Sequence, residues 1–90
     1  MEETRKIENR IWKYRTLKGL KQEELAFLLG HKTPTQISRY ERGLVMPKVE
    51  QISKICFGLG TEIQSLYPNQ IKEWQREVEI QKEKLRKNKE

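Results

Sequence analysis

The chain has one cysteine and one histidine in 90 residues. A lone cysteine excludes an internal disulfide, and the two residues together cannot supply a four-ligand zinc site. No serine has a histidine or aspartate partner at helical spacing, so no nucleophilic site is visible. The expectation is a non-enzyme with no metal and no cofactor. Long apolar runs are missing too. The longest, Leu25 to Leu29, is far shorter than the roughly 20 residues that span a bilayer. Met1 to Lys6 lacks the apolar core of a secretory leader, which predicts a cytoplasmic protein without a membrane partner. Period-2 alternation is absent, which argues against strands.

Hydrophobic residues make up only 34% of the chain and charged residues 36%. Leu, Ile, Val and Phe still number 22, about 24%, above the roughly 20% below which disorder is the default. A chain this short buries only about 60% of its unfolded surface, enough for one core. The composition predicts one compact domain over residues 1–67 and a polar appendage over 68–90. Lys and Arg number 19 against 13 Asp and Glu, a net charge of +6. That excess suits a polyanionic partner, though it says nothing about fold.

Proline and glycine divide the chain into short segments of helical spacing. Ile7, Ile11 and Tyr14 share one face of a first helix, from about Ile7 to Leu17. Gln22 to Leu29 forms the second, with Leu25, Ala26, Leu28 and Leu29 apolar and Gly30 as its cap. Thr33, Pro34 and Gln36 read as a capping box opening the third helix, which Gly43 stops. Pro47 opens the fourth, with a core stripe of Val49, Ile52, Ile55, Cys56 and Leu59 that Gly58 and Gly60 close. Cys56 there reads as a buried, inert thiol. A short fifth helix from about Thr61 to Tyr67 buries Ile63 and Leu66. From Asn69 onward one long charged helix is expected. Its Ile71, Trp74, Val78 and Leu85 fall at heptad a and d positions, with Gln81 interrupting the d row. Such a helix needs something to pack on. It can fold back over Trp12 or Phe57, which fall just off the core stripes, pair with a second copy, or stay a free tail. Its basic end, Lys82 to Lys89, reads as a solvated face. The fold class is all-α: a compact five-helix domain plus a long C-terminal amphipathic helix.

The stretch Gln22 to Gly43, QEELAFLLGHKTPTQISRYERG, has a short helix, a glycine turn and a second helix with a polar outer face. That layout is a helix-turn-helix. A major groove about 12 Å wide admits one helix, and the second helix of such a pair enters it. Its outer residues must then be hydrogen-bonding side chains, and Thr35, Gln36, Ser38 and Arg39 qualify. Outside this frame the same residues would read as a solvated face.

The segments NRIWKYRTLKGLKQEELAFLLG, TQISRYERG and PKVEQISKIC occur in the order found in one family. From Asn9 to Pro68 the chain resembles the DNA-binding domain of the lambdoid phage repressor and Cro family, also called Xre-like regulators. Two departures stand out. The turn from Gly30 to Ile37 is one residue longer than the commonest spacing, and Lys21 replaces a small N-cap residue. The resemblance implies base contacts from Thr35, Gln36, Ser38 and Arg39. It implies phosphate contacts from Gln22, Lys32, Thr33, Arg42, the Gly43 amide and Lys48. His31 becomes a surface turn residue near the DNA backbone, and Arg15 with Glu41 a structural ion pair. The function so implied is a transcriptional regulator, most simply a repressor, that binds double-stranded DNA as a homodimer through residues 33–43. Two-fold symmetry then predicts a palindromic operator with half-sites roughly 34 Å apart. Some relatives act instead as antitoxins. On that alternative the C-terminal helix, through Ile71, Trp74, Val78 and Leu85, binds a partner protein.

Overall fold

The computed structural model describes residues 6–89. The N-terminal stretch considered above lies outside this range except for Lys6, as does Glu90. Among the described residues there are six helices and no strand: α1 (Ile11–Leu17), α2 (Gln22–Leu28), α3 (Thr35–Glu41), α4 (Val49–Leu59), α5 (Ile63–Leu66) and α6 (Pro68–Asn88). No helix among them is long and apolar enough to cross a membrane.

The first five helices close around one core of Ile11, Leu25, Ala26, Leu29, Ile37, Tyr40, Ile52, Ile55, Leu59, Leu66 and Tyr67. Helix α2 packs on both α3 and α4, α1 crosses α3, and α5 joins α4 to α6. Ala26 is only 1% exposed, and its small side chain sits in the helix whose packing fixes the helix-turn-helix angle. Gly58 lies inside α4 rather than at its end. A Cβ there would stand 3.4 Å from side-chain atoms of both Leu25 and Leu28, so glycine lets α4 and α2 approach closely. Gly60 alone ends α4, in the left-handed conformation that costs glycine nothing.

Further sequence expectations need correction. Helix α1 starts at Ile11, not near Ile7. Residues 7–10 stay outside the helix because their backbone is used elsewhere: the Ile7 N–H donates to the Gly43 carbonyl and the Arg10 N–H to the Leu66 carbonyl, both at 2.8 Å. Asn9 organises this segment. Its amide donates to the Tyr40 carbonyl at 2.9 Å, and its Oδ1 accepts the Ile11 N–H at 3.1 Å. The capping box on α3 does not form. Pro34 is the N-cap with no side-chain bond to the helix, and the Thr33 hydroxyl instead meets the Thr35 hydroxyl at 3.2 Å. Val49 is 81% exposed, because it is the first residue of α4 and precedes the turn that faces α2. Cys56 is half-buried rather than fully buried, on a shallow groove with Val49, Phe57 and Ile63. Burial, and secondarily Glu62, push its thiol pKa up.

Pro68 occupies the first turn of α6, where its missing N–H is no loss. The Tyr67 carbonyl accepts the Ile71 N–H at 3.0 Å, and Ile71 packs on the core. Beyond Ile71 every described residue of α6 is exposed. The helix does not fold back: Trp12 and Phe57 stay uncovered at 61% and 88% exposure. The radius of gyration is accordingly 16.3 Å, against about 12 Å for a compact chain of this length.

Candidate nucleic-acid interface

Helix α3 presents two unlike faces. Ile37 and Tyr40 are buried inward, while Thr35, Gln36, Arg39 and Arg42 are exposed and Ser38 is half-buried. Three residues separate Ile37 from Tyr40, so one side of a two-turn helix is committed to the core and the other is polar by default. Thr35, Ser38, Arg39 and Arg42 line one shallow concavity with Pro34 and, from the start of α2, Gln22. The structure thus brings together five of the residues singled out in the sequence. Gln36 stands on the exposed face of α3 outside that concavity. Lys32 and Thr33 are exposed in the preceding turn, and Lys48 is exposed at the N-cap of α4.

The relative placement of α2 and α3 depends on Glu41. Its carboxylate accepts from Arg15 Nε at 2.5 Å and from Arg15 Nη2 at 3.1 Å. Arg15 Nη1 donates to the Leu20 carbonyl at 2.8 Å. Gln22 Nε2 donates to the same carboxylate at 2.9 Å. One carboxylate at the end of α3 is therefore held by α1 and by the first residue of α2. The Arg15 and Glu41 side chains are 11% and 5% exposed, so this pair is fully committed to structure. Glu41 is also the only acidic residue in α3. With it neutralised, the outer face carries Arg39 and Arg42 without an opposing carboxylate.

Two expected phosphate positions turn out differently. The Gly43 N–H already donates to the Tyr40 carbonyl at 3.0 Å and the residue is buried, so it offers no donor to a phosphate. Its role is steric. At φ +73° a Cβ would stand 2.4 Å from the Ile7 carbonyl oxygen and 2.8 Å from the Ile7 nitrogen. Gln22 keeps its place beside α3, but one of its two Nε2 hydrogens goes to Glu41, leaving a single side-chain donor. His31 is half-buried, with Nε2 2.7 Å from Gln51 Oε1, and ties the turn before α3 to α4.

At Lys21 the helix start is secured from the other side: its backbone N–H donates to Glu24 Oε1 at 2.8 Å. This is the reciprocal half of a capping box, made without a small N-cap residue. Asn9 was the positioning residue the sequence reading passed over. Its signal was present, an asparagine two residues before an apolar helical run, where such side chains bond the first-turn amides.

Among the described residues no cluster of three metal-ligating side chains occurs. A family model described as helix-turn-helix matches residues 13–66. No curated protein matches the chain.

Proposed function

The chain belongs to the Xre and lambda repressor-like helix-turn-helix family, and from that premise we propose that it is a repressor binding a palindromic operator as a homodimer. As a helix-turn-helix protein it is a DNA-binding regulator. The observation that carries the finer reading is the single concavity joining Gln22 to Thr35, Ser38, Arg39 and Arg42, on a helix whose only carboxylate is spent internally.

On this reading α3 lies in the major groove. Arg39 is exposed and long enough to bond a guanine through two donors, and Gln36 has the amide that matches adenine. Thr35 and Ser38 are short hydroxyls that follow the base edges. Lys32, Thr33, Arg42 and Lys48 flank the reading face and clamp phosphates, which fix register without carrying sequence information. Gln22 contributes through the second hydrogen of Nε2, the first being held by Glu41. Control is by occupancy: the bound dimer excludes polymerase from the promoter, and the protein works in the cytoplasm without a catalytic step.

The test is DNA affinity against salt. Each phosphate contact releases counterions, so the logarithm of the affinity falls linearly with the logarithm of salt concentration. Lys32→Ala, Arg42→Ala and Lys48→Ala should each reduce the slope by about 0.9. A flat salt response contradicts the reading.

A further inference from the structure

The outer face of α6 carries an apolar row that DNA binding leaves unused. Trp74, Val78 and Leu85 are 43%, 54% and 56% exposed. With Gln81 they repeat at steps of three and four residues, the spacing of a coiled-coil seam. We propose that this seam pairs antiparallel with α6 of a second copy of the chain; the proposal rests on the homodimer reading above and specifies its interface.

The charge pattern selects the direction. Taking Ile71 as position a, Glu77 and Lys84 fall at g, and Gln75, Lys82 and Lys89 at e. Within the chain Lys82 is already paired with Glu79 at 3.4 Å, and Arg86 with Glu83. Glu77 and Lys84 have no ion-pair partner among the described residues. In an antiparallel pair g faces g, so Glu77 of each copy meets Lys84 of the other. In a parallel pair g faces the following e. Glu77 would then compete with Glu79 for Lys82, and Lys84 would face Lys89, a like charge.

The layers agree with this. Antiparallel alignment stacks Trp74 on Leu85 of the second copy, and Val78 on its Gln81, each contact occurring twice. The two Gln81 side chains then flank the two-fold axis, about 4.5 Å apart along the helices, where their amides bond each other. The same alignment sets the two Pro68 residues roughly 34 Å apart along the helices, about 23 steps of 1.5 Å. Pro68 is where α6 leaves the DNA-binding domain. Its separation from the second copy's Pro68 therefore matches the roughly 34 Å between half-sites one turn apart. A parallel pair would bring the two domains together at one end.

The experiment is sedimentation equilibrium of the full chain at low salt without DNA, beside Lys84→Glu, Glu77→Lys and the double exchange. Both residues are exposed, and far-UV circular dichroism confirms that the helix persists. A wild-type dimer is expected, weakened roughly tenfold or more by either single exchange and restored by the double. If Glu77→Lys loosens the dimer while Lys84→Glu leaves or tightens it, the pairing is parallel and the proposal is overturned. A dimer indifferent to both exchanges overturns the α6 seam and leaves the homodimer reading standing. A chain monomeric at several hundred micromolar also overturns the seam. If it then binds DNA at one chain per site, the homodimer reading falls too, and α6 is left for a different protein.

Discussion

The Arg15 guanidinium grips the Glu41 carboxylate with two hydrogen bonds, from Nε and Nη2, and both side chains are nearly excluded from water. Gln22 adds a third donor to the same carboxylate. Replacing one ion while leaving the other buried strands an uncompensated charge. Arg15→Ala should therefore lower stability by about 3–5 kcal/mol. Glu41→Ala should cost a similar amount and also release Gln22 from its place beside α3. The double change Arg15→Met with Glu41→Met should cost much less than either alone, because the desolvation penalty is removed with the pair. Urea denaturation of the four proteins checks this. A double change that costs as much as the two single losses together would show that Arg15 and Glu41 do not act as a pair.

Gly43 is under two constraints at once. Its φ of +73° disfavours any Cβ, and the Ile7 backbone occupies the place that Cβ would take. Gly43→Ala should cost about 1–2 kcal/mol for the left-handed backbone and more for the clash. The bond from the Ile7 N–H to the Gly43 carbonyl should fail first. Hydrogen exchange at the Ile7 amide is the readout, with faster exchange expected than the global loss of stability explains. An alanine variant of unchanged stability would contradict this packing.

Tyr67 is fully buried, and its hydroxyl has no hydrogen-bond partner among the described residues. Such a group pays its desolvation without recompense, so Tyr67→Phe should stabilise the domain by about 1 kcal/mol. Burial is also the main cause that drives the Tyr67 phenol above the ordinary tyrosine range, with smaller contributions from Tyr40 and Cys56. The folded chain therefore holds this proton more tightly than the unfolded chain. The resulting stability is present below the unfolded pKa of about 10 and is lost as pH rises above it. Tyr40 is shifted the same way by burial, less the opposing effect of Arg39, and contributes to the same alkaline loss. Melting temperatures from pH 8 to 11 should fall less steeply in Tyr67→Phe. Parallel curves would contradict the assignment.

Much of this was legible in the sequence because the strongest signals are local. Leu25, Ala26, Ile37, Ile52, Ile55 and Leu66 announce their burial by helical spacing, and all are buried. The polar outer face of α3 follows once Ile37 and Tyr40 are assigned inward. Failures occurred where a distant partner overrides local preference. Ile7 has helical spacing with Ile11, yet its N–H is taken by Gly43, 36 residues away. Thr33 and Gln36 carry capping chemistry, but Pro34 takes the N-cap and the Thr33 hydroxyl turns to Thr35. Val49 keeps the period of the α4 stripe but lies beyond the reach of α2. The Gly43 amide, assigned to phosphate by resemblance, is spent inside the helix terminus. The α6 seam was legible as a heptad, whereas its exposure depends on where α5 points it.

Arg39 is the residue on which sequence reading turns. Arg39→Ala should cost about 1–3 kcal/mol at the preferred site and relax preference at one base pair, while Lys48→Ala should weaken all sequences alike. Competition binding on the preferred site and on single-base variants separates the two behaviours. An equal loss on every sequence would make Arg39 a phosphate contact.

The most direct measurement of the central claim is selection of binding sites from a random duplex DNA pool, with Arg39→Ala run in parallel. The account predicts an enriched inverted repeat with half-sites one helical turn apart, lost or blurred at one position per half-site in the variant. No enrichment by the wild-type chain at moderate salt, or enrichment that Arg39→Ala leaves unchanged, would contradict it.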